Sequence, residues 1–256
     1  MTDQKRIYLD YAATTPILDA AKAACSEGFD LWANPSSPHQ DGRAAQSILE
    51  NARKRFKTAI GWDGEVIFTS GASEAIAIAL GQSKPGLQYI SPVEHDVVLR
   101  FGRNAKILPV DSKGQVVPAN LNHLLKGADQ QALIVIQSVN NETGVIQDLA
   151  ALSKVVRDRG HILLADCAQS AGKMPLPDAD MIIVAGHKFG GPPGIGALLI
   201  KDLKLLNARG GQEQGYRSGT QNLPYIMAMT AALERSDERR VGKGSRSRGV
   251  QAREQH

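Results

Sequence analysis

Cysteine is scarce in this sequence: two residues in 256, Cys25 and Cys167, with no motif spacing between them. That argues against a disulfide scaffold or a thiolate metal site and for a reducing compartment, so residence in the cytoplasm is expected. Long apolar runs are missing as well. The longest, such as 132–136, fall far short of the roughly 20 residues that cross a bilayer, so no membrane association is expected. The first ten residues, MTDQKRIYLD, hold no apolar core of the kind a secretory leader needs. Aromatic residues make up only 5%, yet 42% of the chain is hydrophobic against 22% charged, which is enough for a sizeable buried core and excludes a disordered chain.

Acid is lacking at one end. From Arg239 to His256 six basic residues (Arg239, Arg240, Lys243, Arg246, Arg248, Arg253) stand against Glu254, a net of +5. The whole chain carries +4, so the first 238 residues stand at −1. The basicity belongs to the tail alone, and no nucleic acid is expected as a partner. Composition changes near Glu234, and the remainder is nearly devoid of apolar residues. Residues 234–256 are therefore expected to form a basic, disordered tail.

Seven short β-branched or apolar runs punctuate the body, at 65–69, 87–90, 106–110, 132–136, 161–165, 181–184 and 196–200. Several are apolar at every position, as strands covered on both faces are. Between them lie stretches of helical period at 19–32, 40–60, 73–80 and 149–159, with another starting at Met227. In 40–60 the expected apolar stripe is Ala44, Ile48, Ala52, Phe56 and Ile60, and Gly160 is the expected C-cap of 149–159. Alternating strands and helices predict an α/β fold with crossover connections.

Several chemically loaded residues fall directly after these strands, where open α/β sheets bind ligands. Ala185-Gly-His-Lys188 follows 181–184 and precedes a glycine-rich turn. A partly desolvated lysine there loses proton affinity and becomes a nucleophile able to take an aldehyde; a plain exposed loop lysine fits the position too. Asp166-Cys-Ala-Gln169 follows 161–165 and offers a carboxylate to a protonated pyridine and an amide to a phenolic oxygen, or else a simple helix cap. Thr69-Ser-Gly-Ala-Ser-Glu74 joins a strand to a helix, as a phosphate cradle or a tight turn would. Glu94-His95 places an imidazole that stacks on a flat ring, moves a proton, or merely faces solvent. Val139-Asn-Asn-Glu-Thr-Gly144 brings polar groups to another strand end. No one of these decides the matter. A lysine, an acid, an amide and a phosphate turn at carboxyl ends of strands make up the layout of a pyridoxal 5′-phosphate (PLP) site.

Eight segments, in order, resemble a known family: Leu9-Asp-Tyr-Ala-Ala-Thr-Thr-Pro16, Asn34-Pro-Ser-Ser-Pro-His39, Phe68-Thr-Ser-Gly-Ala-Ser-Glu74, Val93-Glu-His95, Val139-Asn-Asn-Glu-Thr-Gly-Val-Ile-Gln147, Ala165-Asp-Cys-Ala-Gln-Ser170, Gly186-His-Lys188 and Tyr216-Arg-Ser-Gly-Thr220. They are similar to cysteine desulfurases of the NifS/IscS type, within the class V aminotransferase group of fold-type-I PLP enzymes. The resemblance runs from about Arg6 to about Leu233. It implies a mixed, mostly parallel seven-stranded sheet sandwiched by helices, the PLP-binding large domain, with the small C-terminal domain largely missing. On that basis residues 1–15 form an N-terminal arm, 16–233 the large domain and 234–256 the tail.

Roles carry over position by position. Lys188 resembles the lysine that takes the cofactor aldehyde and moves protons at the substrate α-carbon. Asp166 matches the acid on the pyridine nitrogen and Gln169 the donor to the ring oxygen. His95 matches the histidine stacked on the ring and assisting acid–base steps, and Asn141 a ring-side amide. Ala72, Ser73 and His187 match the phosphate contacts. Thr220 matches a threonine that reaches the phosphate of the partner subunit in a homodimer, and Asn34 lies in a stretch near the substrate entrance. The implied reaction converts L-cysteine to L-alanine and passes sulfur to acceptor or scaffold proteins for iron–sulfur cluster or thio-cofactor assembly. Another class V aminotransferase, a selenocysteine lyase, or an inactive PLP-binding or dimerising fragment would share these motifs.

The chain departs from the family pattern at Ala185, where a serine is usual, at Ser73 for threonine, and at Pro193 for lysine. A larger departure concerns sulfur. The family's persulfide-forming cysteine and its carboxylate-gripping arginine lie beyond the resembling segment. Cys25 and Cys167 match neither position, and Cys167 is expected to be a small buried hydrophobe.

Overall fold

In the computed structural model, which describes residues 7–31 and 33–236, seven strands form one sheet. They are β1 (Glu65–Thr69), β2 (Leu87–Ile90), β3 (Lys106–Ile107), β4 (Ala132–Gln137), β5 (Ile162–Asp166), β6 (Met181–Ala185) and β7 (Gly196–Ile200). Across the sheet the order is β1-β7-β6-β5-β4-β2-β3. Strands β3, β2, β4, β5 and β6 pair in parallel, and β7 is antiparallel to both β6 and β1. Only β7 runs against the rest, so six strands deliver their carboxyl ends to one edge. This is the mixed, mostly parallel sheet that the resemblance implies.

The strands lie close to where the apolar runs place them, with one shortening. Strand β3 stops at Ile107 and not at Val110, because Pro109 has no N–H to continue a ladder. Both faces of the sheet are covered. Ile134, Ile136, Ile182 and Val184 face one apolar layer, and Leu133, Val135, Met181 and Ile183 the other. That explains why β4, β5 and β6 read as unbroken apolar runs and not as alternation. Each such side chain, fully buried, contributes about 1.5–3 kcal/mol.

Helices α1 (Asp19–Asp30), α2 (Gln40–Ile60), α3 (Ala72–Gln82) and α6 (Leu149–Asp158) match expectation to within two residues, and Gly160 takes the left-handed φ of +71° just past α6. The buried stripe of α2 is Gly42, Ala45, Leu49, Ala52 and Phe56, while Ala44 is exposed. At Gly42 a Cβ would lie 2.2 Å from the Ser37 carbonyl oxygen. Two short helices were not anticipated, α4 (Asp96–Phe101) and α5 (Pro118–Leu125). A last helix, α7, covers 223–236 and starts four residues before Met227. It carries Glu234 into an ion pair with Arg55 at 2.7 Å, so 234–236 are helical and not part of a disordered tail. The rest of that expected tail, and residues 1–6 of the arm, lie outside the described residues.

Candidate active site

At the carboxyl edge, Gln137 of β4 pairs with Asp166 of β5, while Ala185 of β6 and Thr69 of β1 both pair with Gly196, the first residue of β7. These ends surround a cavity of about 330 Å³, a size that suits a small organic ligand. Ala72, Ser73, His95, Asn141, Asp166, Gln169, His187 and Lys188 all line it. Thr220 does not. It is exposed, its carbonyl accepting from Arg217 Nη1 at 3.5 Å. Asn34 also stays outside, with Oδ1 accepting from the Ser36 amide at 2.9 Å in a turn.

One part of the lining is a strand-to-helix turn with free amides, a geometry that can receive an anion. Gly71 precedes α3 with φ of +150°, and a Cβ there would meet nothing within 4 Å. The first amides of α3 have no partner within the helix and carry its positive partial charge. Gly196 permits the turn to rest on the sheet, since a Cβ on it would come within 2.7 Å of the Gly71 carbonyl carbon. Glu74 braces the turn by accepting from the Ser70 amide, and its other oxygen accepts from Arg217 Nε at 3.0 Å. His187 also reaches this cavity. Burial, and then the charges of Lys188 and Lys173, hold its imidazole below the usual histidine range, so it is neutral at pH 7.

An acid lines the cavity as well. Asp166 is 8% exposed, and Oδ1 accepts from the Ala168 amide at 2.9 Å. It braces the turn that follows and lines the cavity; no helix starts after it, so it is not the helix cap that the sequence allowed. Burial raises its pKa, opposed by that hydrogen bond and by His95 and Lys188. Behind it, burial pushes the Glu94 carboxyl well above the carboxylate range; Oε1 accepts from the Gln137 amide at 2.8 Å and Oε2 has no partner. His95 is the N-cap of α4. Its Nδ1 accepts from the Val97 amide at 3.2 Å, which assigns the ring proton to Nε2. Asn140 spends its side chain on the turn, with Nδ2 donating to the Val93 carbonyl at 2.9 Å, and leaves Asn141 to the cavity.

Lys188 stands in the one-turn segment after β6. Burial brings its ammonium below the ordinary lysine range, with the carboxylates of Asp10 and Asp166 opposing. Nζ donates to the carbonyls of Ala12 and, at 2.9 Å, Ala13, and Gln169 Nε2 donates to the same Ala12 oxygen at 2.8 Å. Sequence reasoning singled out the segment containing these alanines without giving it a role. It also passed over Gln137, Ile76 and Val97, which line the cavity as ordinary core and strand residues do. Cys167 is fully buried with its thiol pushed up to about 12, inert as expected of a small hydrophobe.

Comparison with known proteins places these features in a family. Residues 7–245 match the family described as Aminotransferase class-V. The cysteine desulfurase IscS of Dictyoglomus turgidum is 36% identical over 256 residues, covering 90% of this chain and 64% of that protein. The cysteine desulfurase IscS of Rickettsia prowazekii is 36% identical over 255 residues, covering 89% and 61%. The chain thus spans less than two thirds of these relatives' length. Among solved structures, a NifS-like protein from Rickettsia africae superposes with a TM-score of 0.84 at 30% identity, covering 91% of this chain and 69% of that one. A structure described as SspA in complex with cysteine gives 0.81 at 29% identity, covering 90% and 72%.

Proposed function

The chain belongs to the aminotransferase class-V family, and from that premise we propose that its cavity binds PLP through Lys188 in the service of cysteine desulfurase chemistry, L-cysteine going to L-alanine. One observation carries the reading: a lysine below its ordinary proton affinity, a buried carboxylate and an open helix N-terminus share a single cavity. The residues fit the cofactor. The turn before α3 is an open anion cradle, and Asp166, raised by burial, gains a cationic partner in a protonated ring nitrogen.

When bound, PLP supplies an electron sink for negative charge at the substrate α-carbon. The protein's part is orientation and proton transfer. The amides of Ala72 and Ser73, the Ser73 hydroxyl and His187 would hold the phosphate. Asp166 would hold a proton at the ring nitrogen, and Gln169 would donate to the ring oxygen. His95 and Asn141 would contact the ring. Lys188 would hold the cofactor and move the proton at the substrate α-carbon.

Residues 16–233 form the large domain of this reading, with 1–15 as its arm. Thr220, exposed and outside its own chain's cavity, reaches the phosphate of a second copy in a homodimer. Sulfur acceptor or scaffold proteins are the downstream partners, and the cytoplasm is the compartment. No described helix is long and apolar enough to cross a membrane. Sulfur removal needs a thiolate at the cavity, and neither Cys25 in α1 nor Cys167 supplies one. Among the residues described, the part of the chemistry that has its groups in place is the proton transfer at the α-carbon. The test is proton exchange: the chain loaded with PLP should exchange the α-proton of L-alanine with D₂O by NMR, and form no alanine from L-cysteine above background. Exchange that persists in Lys188→Ala would refute the assignment of the lysine, and steady alanine formation blocked by Cys167→Ser would refute the assignment of the cysteine.

A further inference from the structure

The segment around residues 10–18 is pinned to the turn that carries Lys188. The Thr15 amide donates to the His187 carbonyl at 2.8 Å, and Thr15 Oγ1 donates to the Lys188 carbonyl at 2.8 Å. Thr14 Oγ1 lies 3.2 Å from His187 Nδ1, and the Leu18 amide donates to the Gly190 carbonyl at 2.9 Å. Tyr8 ties the segment to itself, its hydroxyl donating to the Asp10 carbonyl at 2.8 Å and the Thr14 carbonyl at 3.0 Å. What this strap presents to the cavity is backbone: the carbonyls of Ala12 and Ala13 on Lys188 Nζ, and Ala12 again on Gln169.

We infer that the strap is a seat for the Lys188 amine whenever it is not bonded to a ligand, and that Thr15 is a positioning residue for that amine. The inference rests on the reading of Lys188 as the cofactor lysine. Such a lysine alternates between bonded and free, and its free ammonium needs acceptors for its three N–H donors. Two carbonyls supply them without adding a charge. Thr15 holds the main chain of His187 and Lys188, so its effect on the amine passes through the backbone. Carbonyl acceptors favour the charged amine, while its partial burial disfavours it. The charged and titratable groups facing it are Asp10 on the strap, Asp166 at the end of β5, and His187 and Lys173 on the flanking turns.

The experiment reads the lysine itself. The cofactor-free chain is labelled with acetic anhydride across a pH series, and modification of the Lys188 peptide is followed by mass spectrometry. The wild-type midpoint should lie below that of the exposed lysines on the same chain. Thr15→Val, which keeps the shape and removes the hydroxyl, should loosen the seat, cost the ammonium its carbonyl acceptors and move the midpoint further down. Thr15→Ser should restore the wild-type midpoint. A midpoint unmoved in Thr15→Val, or a Thr15→Ser chain that behaves like Thr15→Val, overturns the inference. Should Thr15→Val fail to fold by circular dichroism, Thr14→Ala is read the same way, and an unmoved midpoint there overturns it. No PLP is present in this measurement, so its failure leaves the cofactor reading standing, whereas failure of PLP capture with the expected midpoints overturns only the latter.

Discussion

Asp166 ends a strand that is buried along its whole length, and its carboxylate carries the cost of that burial. Its native pKa lies above the unfolded value, so the folded state keeps a proton that the unfolded chain releases. The associated stability is present at low pH and is lost as pH rises from about 4 through the native value. Asp166→Asn should therefore raise the Tm of the cofactor-free chain at pH 7, and by less at pH 4, in paired thermal melts. On the proposed role the same change removes a charged hydrogen bond to the ring nitrogen, worth about 1.5–3 kcal/mol, so PLP affinity should fall roughly ten- to hundredfold by titration. An unchanged affinity would leave Asp166 as a turn cap alone. At this scale Lys188, Asp166, Gln169 and His95 were legible because each is a chemically distinctive residue just past an apolar run or in the loop that follows one. The Ala12 and Ala13 carbonyls were not, since a backbone contact from a segment 175 residues away leaves no mark in residue type.

The turn from β1 into α3 depends on a glycine in another strand. Gly196 in β7 lets the Gly71 backbone approach to a distance that any side chain would block. Gly196→Ala forces two backbones apart and should cost about 1–3 kcal/mol in denaturant melts. Because the displaced segment is the anion cradle, PLP should bind more weakly than free pyridoxal's own loss accounts for; equal losses for the two ligands would mean that the cradle does not hold the phosphate. Strands buried on both faces announce themselves as solid apolar runs, which is why the sheet could be read from sequence. The short helices α4 and α5 could not: six and eight residues give too few turns for a period to emerge. On α2 the expected stripe fails only at Ala44, which is exposed; Ala52 and Phe56 are buried, Ile48 and Ile60 pack partly buried against the core, and the contact of Gly42 with Ser37 forms only in the folded chain.

Across the whole molecule, the loop bearing Arg217 and Thr220 is held by a buried ion pair. Arg53 of α2 donates from Nη1 to Glu213 at 2.8 Å, and Glu213 also accepts from the Phe68 amide of β1 at 2.9 Å. Glu213 and Gln214 take left-handed φ angles of 48° and 59°, a strain the pairing sustains. Glu213→Ala leaves the buried Arg53 guanidinium with Glu50 as its remaining ionic partner and should lower stability by about 1.5–3 kcal/mol, read as a lower denaturation midpoint. A loss within experimental scatter would show that the loop is held by other contacts. The sequence flagged Tyr216–Thr220 only by resemblance, because a pairing 160 residues apart has no local signature. The account as a whole turns on one bond. The chain should be mixed with PLP, reduced with borohydride, digested and mapped by mass spectrometry. A single stoichiometric pyridoxyl group on Lys188, absent from Lys188→Ala, is the predicted result; label scattered over surface lysines, or retained in Lys188→Ala, would contradict it.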